Sequence, residues 1–184
     1  MIYRVFPWDP DAADGAEGSP LFVPRALQGP GRHDNPHRYG ALYASRSIIS
    51  VVAERLQRFR GRPLRDEFLR WERGLPYAMV AFDDSGLTGL VELDDPRNLL
   101  ARDLRPSTVA TRARKVTQRW AREIHEEGVA GFEWWSTIEA SWINVTLFAD
   151  RAHERVALAA DPEPLSLAHP AVRDAAEAVG VLLG

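Results

Sequence analysis

The pattern of apolar and polar positions changes period several times along the chain. Ile2 to Phe6 is a short apolar run that predicts a strand, and Ala41-Leu42-Tyr43 predicts another. Between them, residues 9–40 are rich in Gly, Pro, Asp and His and hold no period, broken only by Leu21-Phe22-Val23, which reads as a small strand. So long an irregular segment within one domain is either disordered or functional. Ile48, Ile49, Val52, Ala53, Leu56 and Phe59 then recur at helical spacing, with Ser47 placed to cap the helix and Gly61 and Pro63 placed to end it.

Tyr77 to Phe82 and Leu87 to Leu93 predict two strands, and Asp83-Asp84-Ser85-Gly86 between them predicts a hairpin turn. Asp94-Asp95-Pro96 is suited to start a short helix. The longest helix is predicted from about Ser107 to Glu127, with Val116, Trp120 and Ile124 as its apolar stripe and Gly128 as its stop. Val129 to Ser136 and Trp142 to Phe148 read as strands joined by a short loop, and Val156 to Ala160 as an edge strand. Ala171 to Leu183 reads as an alanine-rich terminal helix within residues 165–184. Strands interleaved irregularly with helices predict an α+β fold, small mixed or antiparallel sheets flanked by helices, as one domain over residues 1–184.

Composition narrows the chemistry. The charged fraction is 27% and the hydrophobic fraction 45%, values that suit a folded globular chain. With a net charge of -3 there is no global pull toward nucleic acid or an anionic membrane. The absence of cysteine excludes disulfides, thiolate nucleophiles and Cys-ligated metal centres. No apolar run approaches the ~20 residues of a membrane-spanning helix, and Met1 to Pro10 does not read as a signal peptide. The expectation is a cytoplasmic protein. Of 23 basic residues only Lys115 is a lysine. Such an arginine bias suits phosphate or carboxylate recognition, but a GC-rich genome produces it equally. The cluster Arg112, Arg114, Lys115, Arg119 and Arg122 reads as a solvated helix face or a partner surface, not a DNA-reading helix.

The common nucleotide-binding loops and the nucleophile elbow are absent. His33 and His37 flank Pro36, so they do not share a helix face; with Asp34 they are a weak metal-ligand set and read better as solvated loop residues. By local pattern alone, Glu54 and Arg58 are an i,i+4 surface pair worth tenths of a kcal/mol. Arg32 is a loop cation, Tyr43 a half-buried strand residue and Ser136 a turn former, while Trp134, Trp135 and Trp142 are core.

Taken in order, however, Gly29-Pro-Gly-Arg32-His-Asp-Asn35-Pro36, Tyr39-Gly-Ala-Leu-Tyr43-Ala-Ser and Val51-Val-Ala-Glu54 resemble the RES family, which is named for an Arg, a Glu and a Ser. Gly128-Val-Ala-Gly131-Phe-Glu-Trp-Trp-Ser136 and Trp142-Ile-Asn144-Val-Thr-Leu-Phe148 continue the likeness, as do Tyr3-Arg4-Val5 and the helix with Gln118, Trp120 and Ala121. It spans about residues 2–150. His33, Phe132-Glu133 and Thr137 depart from the usual residues, which bears on substrate detail more than on membership.

The resemblance implies a fold like that of ADP-ribosyltransferase toxins. It implies a toxin that destroys NAD at the nicotinamide–ribose bond, by hydrolysis or by phosphorolysis with inorganic phosphate, as an NAD glycohydrolase or NAD phosphorylase. The implied partner is an antitoxin with an Xre-like helix-turn-helix region. NAD is the substrate, and no metal or prosthetic cofactor is implied. Cleavage through an oxocarbenium-like state needs negative charge beside the sugar, the part the resemblance gives to Glu54. Arg32, after glycines that let backbone approach closely, would hold the diphosphate. Tyr43 would stack on nicotinamide or bond the ribose, and Ser136 would bond the carboxamide or a ribose hydroxyl; Asn144 would join them in binding NAD. Two rivals remain open at this stage: an ADP-ribosyltransferase in which Glu54 activates a protein acceptor, and a catalytically inactive binding or regulatory module.

Overall fold

In a computed structural model that describes residues 1–183, the chain forms ten strands and six α-helices among the described residues. In chain order these are β1 (Ile2–Pro7), β2 (Ala41–Ser45), α1 (Ile48–Leu56), β3 (Pro63–Leu64), β4 (Tyr77–Asp83) and β5 (Val91–Glu92). Then come α2 (Pro96–Leu100), α3 (Pro106–Ala110), α4 (Arg114–Glu126), β6 (Gly131–Trp135), β7 (Ile143–Phe148) and α5 (Ala149–Ala152). The chain closes with β8 (Ala157–Leu158), β9 (Glu163–Pro164), α6 (Pro170–Val179) and β10 (Leu182–Leu183). The fold is α+β, but with one dominant sheet, ordered β5-β6-β7-β2-β1-β4-β8 with β9 also on β4; β10 and β3 make a separate parallel pair.

Pairing along that sheet is uneven. β1 meets β4 over the whole length from Ile2↔Phe82 to Pro7↔Tyr77, and β2 meets β7 from Ala41↔Phe148 to Ser45↔Asn144. β1 and β2 share only Tyr3↔Ser45. Beyond that point they splay apart, and the side-chain amide of Gln28 takes the place of a strand on β2. Its Nε2 donates to the Ala41 carbonyl at 2.6 Å and its Oε1 accepts the Ala41 N–H at 2.9 Å.

Alternation along the strands assigns the two faces. On one face α1 and α6 pack Val52, Ala53 and Leu56 against Val172, Ala175 and Val179 over Val5 and Met79. Farther along the same face, α4 lays Trp120, Ala121 and Ile124 on Phe132, Trp134 and Phe148. The opposite face, with Ile2, Phe6, Leu42, Phe82 and Leu147, is covered by loops that carry Trp8, Leu21, Leu87 and Leu90.

Several elements depart from the sequence expectation, each for a visible reason. Leu21-Phe22-Val23 is not a strand: the Pro20 and Phe22 carbonyls accept hydrogen bonds from the Arg4 guanidinium instead of from a neighbouring strand. The hairpin after β4 does not form. Asp84 pairs with Arg46, Leu87 and Leu90 pack under the sheet, and only Val91–Glu92 is extended, running parallel to β6 at the far edge. The apolar residues over 87–93 signalled burial, not one continuous strand. The long helix is broken between Ala110 and Arg114, because the Val109 and Thr111 carbonyls are taken by Arg32 Nη1 at 3.3 and 2.7 Å. In an unbroken helix those oxygens would accept from residues four positions on. The terminal helix stops at Val179, where Gly180 adopts the left-handed conformation, φ 68°, that a C-terminal cap favours, and Leu182–Leu183 turn into β10. Ser47 is the N-cap of α1 as expected, its side chain accepting from the Ser50 N–H.

Candidate active site

Where β1 and β2 part, the α1 and α4 halves of the covered face leave a cleft of about 890 Å³. Its walls include Arg32 and Tyr43 from the loop and β2, Glu54 from α1, and Trp134 and Asn144 from β6 and β7. Four of the five residues expected from the sequence therefore face one space. The fifth, Ser136, is buried behind Glu54 and does not line it.

Glu54 is held from both sides. The Ser136 hydroxyl donates to its Oε1 at 2.9 Å, and Asn144 Nδ2 donates to the same oxygen at 3.1 Å. Asn144 is itself aimed by Ser50, whose hydroxyl donates to Asn144 Oδ1 at 2.9 Å, fixing the amide with its nitrogen toward Glu54. Oε2 accepts from Gln57 Nε2 at 2.8 Å. No ion pair joins Glu54 to Arg58 among the described residues; the Arg58 guanidinium lies over the Phe59 ring instead. Ser136 and Asn144 are thus arranged to orient the carboxylate, and Ser136 has its oxygen further used by the Ile138 N–H at 3.1 Å.

Arg32 is fixed by the broken helix and by Trp134, over whose ring its guanidinium sits at 5.1 Å. The two Nη1 protons are spent on carbonyls, which leaves the Nε–H and the Nη2 protons for a ligand. Burial and the nearby Arg114 charge lower its pKa, partly offset by Glu54. Thr117 donates to the Arg32 carbonyl, and Gln118 Nε2 donates to the Gly29 and Gly31 carbonyls at 2.8 and 2.9 Å, so α4 grips the loop from its N-terminal turns.

The loop carries its own clasp. Asp34 Oδ2 accepts the Gly29 and Gly31 N–H groups at 2.8 and 2.7 Å, and Oδ1 accepts the Tyr43 hydroxyl at 2.7 Å. A Cβ on Gly31 would lie 2.4 Å from Asp34 Oδ1, so this glycine makes room for a carboxylate of its own chain. The Tyr43 oxygen also accepts the His33 N–H at 2.9 Å. Burial and Asp34 push the phenol pKa well up, so Tyr43 stays protonated with its hydroxyl occupied, and its ring is what it offers the cleft.

His33 corrects the reading of two solvated histidines. Its ring is fully buried between Trp120, Phe132 and Trp134, with Nδ1 2.9 Å from Thr146 Oγ1, while His37 is exposed. No group of three or more metal-ligating side chains gathers among the described residues. Asp34, Ser50 and Thr117 were missed from sequence. Ser50 stands one helical turn before Glu54, a spacing that would have flagged it.

Charge completes the geometry. Arg32, Arg55, Arg58, Arg60, Arg112 and Arg114 line the cleft, and Glu54 is the one acidic side chain on its wall. None of these six arginines has a carboxylate within ion-pair distance among the described residues, although others, such as Arg46, Arg73 and Arg102, do. Part of the cluster read as a solvated helix face therefore faces a concave site.

No curated protein matches the sequence. Among solved structures, a chain of the M. tuberculosis MbcT–MbcA toxin–antitoxin complex is similar in fold, with a TM-score of 0.60 at 17% identity, over 90% of this chain and 83% of that one. The family model for the RES domain matches residues 2–168, taking in every residue of the site described above. The chain belongs to the RES domain family.

Proposed function

We propose that this protein is the toxin of a toxin–antitoxin pair and that its cleft breaks the nicotinamide–ribose bond of NAD. The observation that carries the reading is a single, doubly held carboxylate in a cleft whose other charged side chains are arginines. The arginines suit a diphosphate, with Arg32 offering directed donors and the ring of Tyr43 a flat surface for a base. As the C1′–N bond breaks and nicotinamide leaves with the bonding pair, Glu54 offsets the positive charge growing on the ribose. The similarity to a toxin–antitoxin structure supports a protein antitoxin as partner, and an Xre-like helix-turn-helix protein is the expected form.

The charge balance favours inorganic phosphate over water as acceptor. A diphosphate brings one negative charge per phosphoryl group, too few to offset the six arginines even with Glu54. That surplus opposes a cationic transition state, and an incoming phosphate reduces it. Purified protein is to be incubated with NAD, with and without phosphate, and nicotinamide release followed. Phosphate-dependent loss of NAD with formation of ADP-ribose phosphate is expected. Glu54→Gln is expected to slow it by roughly 10²–10³-fold. An antitoxin-free wild type that leaves NAD intact in both buffers overturns the reading.

A further inference from the structure

The parting of β1 and β2 opens a second pocket, of about 200 Å³, behind Tyr43 and away from Glu54. It has room for several times the ~30 Å³ that one water takes up in the liquid. Two guanidinium groups line it. Arg4, on β1, is 8% exposed and donates from Nη1 to the Pro20 carbonyl and from Nη2 to the Phe22 carbonyl, the latter at 2.7 Å. These bonds use only part of its five N–H donors and supply no negative charge. The guanidinium of Arg55, on α1, lies over the Tyr77 ring at 4.5 Å and makes no hydrogen bond among the described residues. Neither has a carboxylate within ion-pair distance among the described residues. Glu17 is on the wall, but it pairs with Arg73 at 2.9 Å. Ser19, also on the wall, has a buried hydroxyl with no hydrogen-bond partner.

Buried charges in folded proteins are paired, because an unneutralised ion in a low-dielectric site is costly. Here two like charges share one pocket. Burial and the Arg55 charge together push the Arg4 pKa down to about 9, so each cation raises the cost of the other. A dianion between them would neutralise both and take up their spare donors. We propose that the pocket between β1 and β2 is a binding site for a small oxyanion of the phosphate class, held by Arg4 and Arg55. The site is separate from the Glu54 carboxylate but touches the cleft, because Arg55 and Tyr43 line both spaces. An anion drawn to Arg55 from behind therefore changes the charge that the cleft presents in front. The proposal concerns binding alone and does not depend on NAD being the substrate.

The test is a phosphate titration of the full chain with ¹⁵N-labelled arginine, following the side-chain Nε–H resonances. The Arg4 and Arg55 signals are expected to move together and saturate with one midpoint, distinct from that of Arg112 and Arg114. Arg55→Gln, a change at the half-buried end of α1, should weaken the midpoint read at Arg4 at least tenfold, in line with loss of a charged hydrogen bond. Arg4→Gln should remove the Arg55 response, and Arg55→Gln keeps the test valid if Arg4→Gln does not fold. Movement of the open-cleft arginines alone overturns the proposal. So does a response of Arg4 to acetate but not to phosphate. A titration with NAD in phosphate-free buffer separates the sources: a still Arg4 supports a free-ion site, and a moving Arg4 reassigns the pocket to the substrate and overturns it.

Discussion

The buried imidazole of His33 makes a quantitative prediction about acid. Its centroid lies 4.8 Å from the Trp120 ring and 4.9 Å from those of Phe132 and Trp134, and Nε2 has no partner. Burial, with Arg32 and Arg114 nearby, holds its pKa well below the ordinary 6.5, so the folded ring is neutral. The unfolded ring takes a proton below pH 6.5, so there the unfolded state binds one more proton than the folded state. Stability from this group is thus full above pH 6.5 and falls as pH drops through that value. The slope approaches about 1.4 kcal/mol per pH unit, and the loss between pH 7 and pH 5 is about 2 kcal/mol. Urea unfolding followed by tryptophan fluorescence at pH 7, 6 and 5 measures it. His33→Gln cannot protonate, so the wild-type advantage over that variant should shrink by about 2 kcal/mol across the range. Equal pH dependence in the two proteins would refute a neutral, buried His33.

Three further outcomes follow from the site. Asp34→Asn removes the charge and one of the two acceptor oxygens, so either the Gly29 and Gly31 N–H groups or the Tyr43 hydroxyl loses its acceptor, and thermal unfolding should show a loss of about 2–3 kcal/mol, the scale of a broken charged hydrogen bond. Ser136→Ala leaves Asn144 on Glu54, so NAD cleavage should fall in kcat by roughly tenfold, about one hydrogen bond's worth, with KM little changed; a KM effect alone would place Ser136 on the substrate instead. Added potassium chloride should raise KM for NAD more than it lowers kcat, because the cleft arginines act largely from exposed positions; a salt-independent KM would remove them from substrate capture.

The local signals in the sequence were those the backbone obeys. Ser47 capped α1, Pro96 opened α2, and the strand expected over Trp142 to Phe148 became β7. The ordered residues Arg32, Tyr43, Glu54 and Asn144 meet in one cleft because β2, α1 and β7 are neighbours. What could not be read was whatever a distant side chain decides. Nothing within residues 107–127 marks a break, since the break belongs to Arg32, far away in sequence. Leu87 to Leu93 has the composition of a strand, and only its packing under the sheet shows otherwise. Asp34 was missed although its cue is local: an aspartate three residues after Gly31 is placed to accept that glycine's N–H, a common turn device.

Gln28 has a consequence beyond local bonding. Strands that part in mid-sheet expose inner edges, and an exposed edge is a template on which another extended chain can dock. By occupying both backbone groups of Ala41 with one side-chain amide, Gln28 removes that template without filling the space a strand would fill. The sheet keeps an internal slot that is blocked against β-strand addition at Ala41 yet has room for small molecules. A single glutamine thereby separates ligand access from the hazard of edge-to-edge association, and its loss would expose the one to the other.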